Sequence, residues 1–261
     1  MWFAPVFTMT LAIETQGLTR LFGAVRAVDG LDLHVQAGCF FGFLGPNGAG
    51  KSTTIKMLTG LLAPTSGTMR ILGVDLSKSN DARVVKRRIG VMPEDLALFD
   101  NLTAREHLMF VGRMYGLPVP LVRERSGELL AMMDLAGQED KVTLEYSHGM
   151  KKKLALAAAL LPNPDLLFLD EPFEGVDAVA SRTLRDTLKR FVQRGATVFL
   201  TSHVLEIVEK LCTDVGIIDQ GRLAQQASMD EIRRTGSLEE RFLAVVGQSH
   251  PEQQRLSWLE D

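Results

Sequence analysis

The sequence contains only two cysteines, Cys39 and Cys212, which lie far apart among apolar residues. This low count excludes a disulfide framework, and no group of residues has the spacing of a structural metal site. Long hydrophobic runs are missing as well. The most apolar stretch, residues 154–169, is broken at residues 162–165, so no segment supplies the roughly 20 apolar residues of a membrane-spanning helix. We therefore expect a cytosolic protein, and if it serves a membrane, we expect it to do so from the water side through a partner.

An excess of basic residues is also missing. Lysine and arginine number 29 against 32 acidic residues, which gives a net charge of -3. General nucleic-acid binders are usually strongly basic, so we expect no nucleic-acid partner. The 261 residues, 46% of them apolar, are enough to form one large domain with a sizeable core.

Apolar patterns predict strands that alternate with helices along most of the chain. This alternation is typical of a mainly parallel sheet with helices on its faces, and a helical block at about 95–160 interrupts it. Thr103 and Glu106 have the spacing of a capping box at the start of that block's first helix. The predicted strands are residues 11–14, 31–35, 39–44, 70–72, 89–92, 166–169, 197–200 and 215–218. The predicted helices are residues 51–59, 103–115, 120–135, 147–161, 178–192 and 204–211.

Residues 45–52, with the sequence GPNGAGKS, match the phosphate-binding pattern G-x-x-x-x-G-K-[ST] between a buried strand and a helix. Glycines let successive backbone N–H groups turn toward phosphate oxygens, and the helix N-terminus adds partial positive charge. The lysine can reach the β- and γ-phosphates, and the following hydroxyl can bind Mg²⁺. The predicted nucleotide-binding residues of this loop are Gly45, Asn47, Gly48, Ala49, Gly50, Lys51, Ser52 and Thr53.

Two carboxylates, Asp170 and Glu171, directly follow the apolar strand at 166–169. A buried strand that ends in acidic residues brings them to the carboxyl edge of the sheet, where ligands bind in such folds. We expect Asp170 to bind Mg²⁺ and Glu171 to polarise the water that attacks the γ-phosphate. A triphosphate with Mg²⁺ is therefore the predicted ligand.

Together these motifs resemble the nucleotide-binding subunit of ABC transporters over residues 11–223. The stretch GPNGAGKSTTIKMLTGLLAPTSG is especially similar to the ATPases of drug and antibiotic exporters. The resemblance implies a P-loop NTPase of the α/β class, with a RecA-like mainly parallel sheet, an N-terminal antiparallel β subdomain and an inserted α-helical subdomain. We expect an ATPase domain at 1–235, with a loosely attached extension at 1–8, and a C-terminal helix with a polar tail at 236–261.

The resemblance also assigns roles that the residues alone do not. Phe22 stands where the family places an aromatic ring that stacks on adenine, a contact worth roughly 1–3 kcal/mol per base. Glu94 takes the place of the family's glutamine and would offer oxygen to Mg²⁺ or to water. His203 matches the histidine that contacts the γ-phosphate.

The family's signature motif is altered in this chain. Ser147 and Gly149 are retained, but His148 replaces the first glycine, and its ring would lie either near the phosphate or away from it. The resemblance implies that these residues bind the nucleotide of a second subunit, and that Asp177 lies in the loop through which the two subunits touch. Of the lysines that follow, residues 151–153, we expect at least two on a solvated face.

The function implied is ATP hydrolysis that powers a separate membrane permease, expected to be an exporter. The ATPase would act as a homodimer or with a paired ATPase subunit, peripherally on the cytoplasmic side of the membrane. Two alternatives remain open at this point. One is a soluble ABC-type ATPase outside transport, and the other is a regulatory nucleotide-binding subunit with weak hydrolysis, which the residues at positions 94 and 148 suggest.

Overall fold

The computed structural model describes residues 10–76 and 79–247. The predicted extension at 1–8 and the polar tail from residue 248 lie outside the described residues. Within them, no helix is both long and apolar enough to cross a bilayer.

Strands and helices alternate through the described chain. The strands are β1 Leu11–Phe22, β2 Val25–Gln36, β3 Phe40–Leu44, β4 Ser66–Ile71, β5 Val74–Asp75, β6 Ile89–Met92, β7 Leu166–Asp170, β8 Thr197–Ser202, β9 Asp214–Asp219 and β10 Arg222–Ser228. The α-helices are α1 Lys51–Leu58, α2 Ser79–Lys86, α3 Ala104–Met114, α4 Val119–Met132, α5 His148–Leu160, α6 Ala178–Gln193, α7 Leu205–Leu211, α8 Met229–Thr235 and α9 Leu238–Val246. A short 3₁₀ helix covers Thr143–Glu145.

Two sheets carry the fold. The larger has the strand order β10-β9-β3-β8-β7-β6, in which β9, β3, β8, β7 and β6 are parallel and β10 is antiparallel to β9. The smaller sheet, β2-β1-β4-β5, is antiparallel. Helices α3, α4 and α5 lie between β6 and β7 in the chain. The predicted mainly parallel sheet, the antiparallel β subdomain and the inserted helical subdomain are therefore confirmed.

The central strands are apolar because they are covered on both faces. Every residue of β3, β7 and β8 is buried. The ring of Phe199 on β8 lies 5.5 Å from that of Phe41 and 5.6 Å from that of Phe168, centroid to centroid, which joins the three strands on one face. Parallel strands end at the same edge of a sheet, so the loops after β3, β7 and β8 meet there.

The predicted helices and central strands are found close to their predicted bounds, while the strands of the smaller sheet are longer than predicted. Strands β1 and β2 are each 12 residues long, well beyond the predicted 11–14 and 31–35. Register shifts, one of them between Thr15 and Leu18, interrupt the apolar–polar alternation that would have revealed their length. The sequence analysis also missed β5, α2, β10 and α8, which are short or lie at the edge of a sheet.

Candidate functional site

A cleft of about 370 Å³ opens where the loops after the central strands meet. The loop after β3 and the start of α1 form one wall, and the residues after β6, β7 and β8 form the other. The lining residues are Ala27, Asn47, Gly48, Gly50, Lys51, Ser52, Thr53, Glu94, Glu171, Glu174 and His203. Most of the predicted nucleotide and catalytic residues therefore meet in one place, while Gly45, Ala49 and Asp170 are buried and do not line the cleft.

Glycine is required at two positions of the loop between β3 and α1. Gly50 has φ 106°, and a Cβ there would lie 2.4 Å from the carbonyl oxygen of Ala27. A Cβ on Gly45 would lie 2.4 Å from the carbonyl oxygen of Ile218. No side chain fits at these distances, so the close approach of neighbouring backbone fixes the loop's shape.

Lys51 is held inside this loop. Its side chain is 7% exposed, and its Nζ donates to the carbonyl oxygens of Gly45 at 2.7 Å and Pro46 at 3.2 Å. The same Nζ lies 4.0 Å from Oε1 of Glu171. The loop therefore presents a positive charge toward the carboxylate across the cleft.

Glu171 is fixed in an unusual conformation at the end of β7. Its φ is +48°, a left-handed conformation that costs a residue with a Cβ about 1–2 kcal/mol. Its N–H donates to Oγ1 of Thr201 at 3.0 Å, and its Oε2 lies 3.0 Å from Nδ1 of His203. Strained backbone that surrounding groups hold in place is typical of functional sites. The carboxylate lies between Lys51 and His203, within reach of a ligand in the cleft.

Oxygen atoms gather beside this arrangement. Ser52 Oγ donates to Oε2 of Glu94 at 3.1 Å, and Thr201 Oγ1 donates to Oδ1 of Asp170 at 2.5 Å. Burial is the main cause that raises the pKa of Asp170; the hydrogen bonds from Thr201 and Ser52 oppose the rise, and the charge of Glu94 adds to it. One hydroxyl and two carboxylates supply oxygen atoms of the kind that Mg²⁺ prefers, so this donor set fits Mg²⁺.

The signature residues and Asp177 do not line this cleft. Ser147 caps α5, accepting from the N–H of Met150 at 3.3 Å. Asp177 caps α6, and the N–H groups of the helix's first turn lower its pKa. The two caps belong to one patch, because the ring of His148 packs against Gly175, where a Cβ would lie 3.2 Å from its Cδ2.

Phe22 also lies outside the cleft lining. Its side chain is 48% exposed, and the guanidinium of Arg20 lies 4.6 Å from the centre of its ring. An adenine that stacked on Phe22 would share the ring with Arg20 or displace it from one face.

Sequence reasoning missed three residues of the site. Thr201 is fully buried, and its hydroxyl donates to the carboxylate of Asp170 and accepts from the backbone N–H of Glu171. Glu174 lines the cleft. Lys152, within a run expected to be mostly solvated, is 4% exposed. Only their positions could have indicated them, since Thr201 lies near the end of the buried strand β8 and Lys152 lies in the second turn of a capped helix.

Comparison with protein families supports the assignment of the fold. Residues 28–174, more than half of the chain, match the family model described as ABC transporter. A second model, for an AAA domain, matches residues 142–209.

Two characterised relatives illustrate the similarity in sequence. The chain is 41% identical to the daunorubicin/doxorubicin resistance ATP-binding protein DrrA of Streptomyces peucetius over 248 residues, which cover 95% of this chain and 74% of the relative. It is 37% identical to the bacitracin transport ATP-binding protein BcrA of Bacillus licheniformis over 227 residues, which cover 87% of this chain and 72% of the relative.

Solved structures show the same fold. The ATP-binding subunit of an ABC transporter superposes with a TM-score of 0.84 at 30% identity, covering 90% of this chain and 99% of that one. A dimeric ATP-binding cassette bound to ADP and phosphate superposes with a TM-score of 0.77 at 22% identity, covering 83% of this chain and 98% of that one. The chain therefore belongs to the ABC transporter family, as an ATP-binding and ATP-hydrolysing subunit.

Proposed function

We propose that ATP hydrolysed in this cleft powers a separate membrane permease that exports its substrate. The observation that carries the proposal is the meeting of Lys51, Glu171 and His203 across one cleft, with Lys51 Nζ 4.0 Å and His203 Nδ1 3.0 Å from the carboxylate oxygens of Glu171. Export is supported by the relatives, which are named for drug resistance and antibiotic transport. Those names do not favour a soluble ATPase outside transport or a purely regulatory subunit.

The chain's own groups account for substrate binding. Backbone N–H groups at the start of α1 and the ammonium of Lys51 would bind the phosphates. Lys51 would exchange its bonds to the carbonyl oxygens of the loop for bonds to phosphate oxygens. Phe22 would stack on the adenine. Ser52, Glu94 and Asp170 would hold Mg²⁺, which neutralises charge on the phosphate oxygens when it is bound.

Glu171 and His203 would carry the chemistry. A carboxylate oxygen of Glu171 would accept a hydrogen bond from the attacking water and increase the electron density on its oxygen. His203 would hold Glu171 in place through Nδ1 and present its other face to the γ-phosphate. The side chain of His203 is 48% exposed, so it can contact both the carboxylate and a ligand.

A second subunit would complete the nucleotide site. Ser147, His148 and Gly149 lie outside the cleft of their own chain, at the N-terminus of α5, where N–H groups and the helix dipole attract a phosphate. We propose that they bind the nucleotide of a paired subunit, with Asp177 in the contact, in a homodimer or with a related ATPase. The permease would hold this pair at the cytoplasmic side of the membrane.

Replacing Lys51 with Met tests the proposed site. Lys51→Met removes the positive charge while preserving most of the apolar stem, so nucleotide retention and hydrolysis should both be lost. Lys56→Met is the matched control, because Lys56 lies on the same helix with an exposed side chain. Equilibrium binding of ATP and phosphate release, measured with the permease present, are the readouts. Retention of ATP by Lys51→Met at the unmodified level would contradict the proposal.

A further inference from the structure

Lys152 is a buried cation beside the catalytic turn, in the second turn of α5. Its side chain is 4% exposed. Its Nζ donates to the carbonyl oxygen of Glu171 at 3.1 Å and to the carbonyl oxygen of Glu174, and it lies 3.5 Å from Oε2 of Glu174. An ammonium group has three N–H donors, and here three acceptors surround it. All three acceptors belong to the turn that follows β7, so this turn compensates the charge of Lys152.

The neighbouring lysines make no such contact. Lys151 is 27% exposed and pairs with Asp100 at 3.6 Å. A buried ammonium is costly unless it is paired and hydrogen-bonded, so the burial of Lys152 depends on these acceptors. Equally, the loss of Lys152 would leave the carbonyl oxygen of Glu171 without this donor.

The contact is made at a residue whose backbone has the left-handed conformation. Glu171 has φ +48°, and its N–H is already held by Thr201. Lys152 binds the carbonyl on the other side of the same residue. Two elements, β8 through Thr201 and α5 through Lys152, thus fix the backbone from which the Glu171 carboxylate extends.

We propose that Lys152 is a positioning residue for Glu171, which holds the turn after β7 against α5 so that the carboxylate faces the cleft. The inference rests on the proposed role of Glu171 in polarising water. It also connects the start of α5, where Ser147 lies, with the catalytic turn of the same subunit through a single side chain.

Lys152→Met tests this role, because it preserves most of the stem and removes the donors. We expect kcat for ATP hydrolysis to fall roughly 10- to 100-fold, as for other small misplacements of reacting groups, with KM for ATP changed by less than about twofold. Lys151→Met, one position away on the same helix, should leave both constants unchanged. If Lys152→Met does not fold, Lys152→Gln, which keeps a polar end on a shorter stem, replaces it with the same expectation.

A double substitution separates positioning from general damage. In single-turnover hydrolysis, Lys152→Met added to Glu171→Gln should cause no further loss, because residues that act as a unit are not additive. A fall in kcat of less than twofold, a rise in KM that matches the loss of kcat, or a further loss in the double variant would overturn the inference. If Glu171→Gln alone leaves hydrolysis intact, the proposed function fails instead.

Discussion

At the residue scale, Asp170 is the carboxylate of the site that is least exposed to solvent. Its side chain is buried, and burial raises its pKa above the usual value of 3.8. Glu171, one residue later, faces the cleft between Lys51 and His203. Adjacent carboxylates thus have different surroundings, which suits one for holding a metal ion and the other for polarising water.

The raised pKa predicts how stability depends on pH. The folded protein binds a proton at Asp170 more tightly than the unfolded chain does, so the carboxyl stabilises the fold below pH 3.8, and this contribution is lost as pH rises through the raised pKa. Asp170→Asn cannot ionise and still offers an oxygen to Thr201. Without metal or nucleotide, its free energy of unfolding should exceed that of the unmodified protein at pH 7, by a margin that shrinks as pH falls through the raised pKa toward 3.8. Urea titrations with chelator check this. Equal stability of the two proteins at pH 7 would contradict it.

At this scale, the sequence predicted which residue types form the site but not which residues hold them in position. Lys51, Asp170 and Glu171 follow from a loop pattern and from carboxylates at the end of a buried strand. Thr201 and Lys152 act through one hydroxyl and one ammonium whose partners lie 30 and 19 residues away. No local pattern encodes contacts between residues so far apart in the chain.

At the scale of elements, three helices within residues 79–247 begin with a serine cap. Ser147 caps α5, Ser228 caps α8 and Ser237 caps α9. Of these serines, only Ser147 belongs to the proposed contact with the nucleotide of a second subunit. Removing the hydroxyl of Ser147 or of Ser228 therefore separates the effect of a lost cap on stability from the effect on activity.

Ser147→Ala and Ser228→Ala should each lower the free energy of unfolding by about 1 kcal/mol, the usual contribution of a cap. Both serines accept from the third residue of their helix, at 3.3 Å and 3.2 Å. Only Ser147→Ala should also lower ATPase activity, because only α5 would face the partner's nucleotide. Urea titration and phosphate release give the two quantities. Equal activity in both variants would remove Ser147 from the site.

Helices and strands were predicted correctly where the sequence signal lay within the element itself. The capping box of Thr103 and Glu106 is present at the start of α3, as its spacing predicted. Strand β6 has its predicted bounds. Prediction failed for β10, an edge strand with the sequence RLAQQAS, in which apolar and polar residues do not alternate. Its position depends on pairing with β9, which only the folded sheet supplies.

At the scale of the whole molecule, the proposed nucleotide contacts are divided between two surfaces. The phosphate loop, Glu171 and His203 line the cleft, while Ser147 and Asp177 begin helices outside it. Under this proposal, one copy would present half of a site on each surface. Two copies arranged head to tail would bring complementary halves together twice, with a two-fold axis between them.

Glu171→Gln tests the central claim, that ATP joins two subunits and its hydrolysis separates them. The variant keeps Lys51 and the loop but loses the carboxylate, so it should bind ATP with Mg²⁺, hydrolyse it at a greatly reduced rate and accumulate as a dimer. Sedimentation velocity with ATP gives the oligomeric state, and phosphate release gives the turnover. The account predicts an ATP-dependent dimer that is absent with ADP and in Lys51→Met. A Glu171→Gln protein that hydrolyses ATP at the unmodified rate, or that stays monomeric with ATP bound, would contradict it.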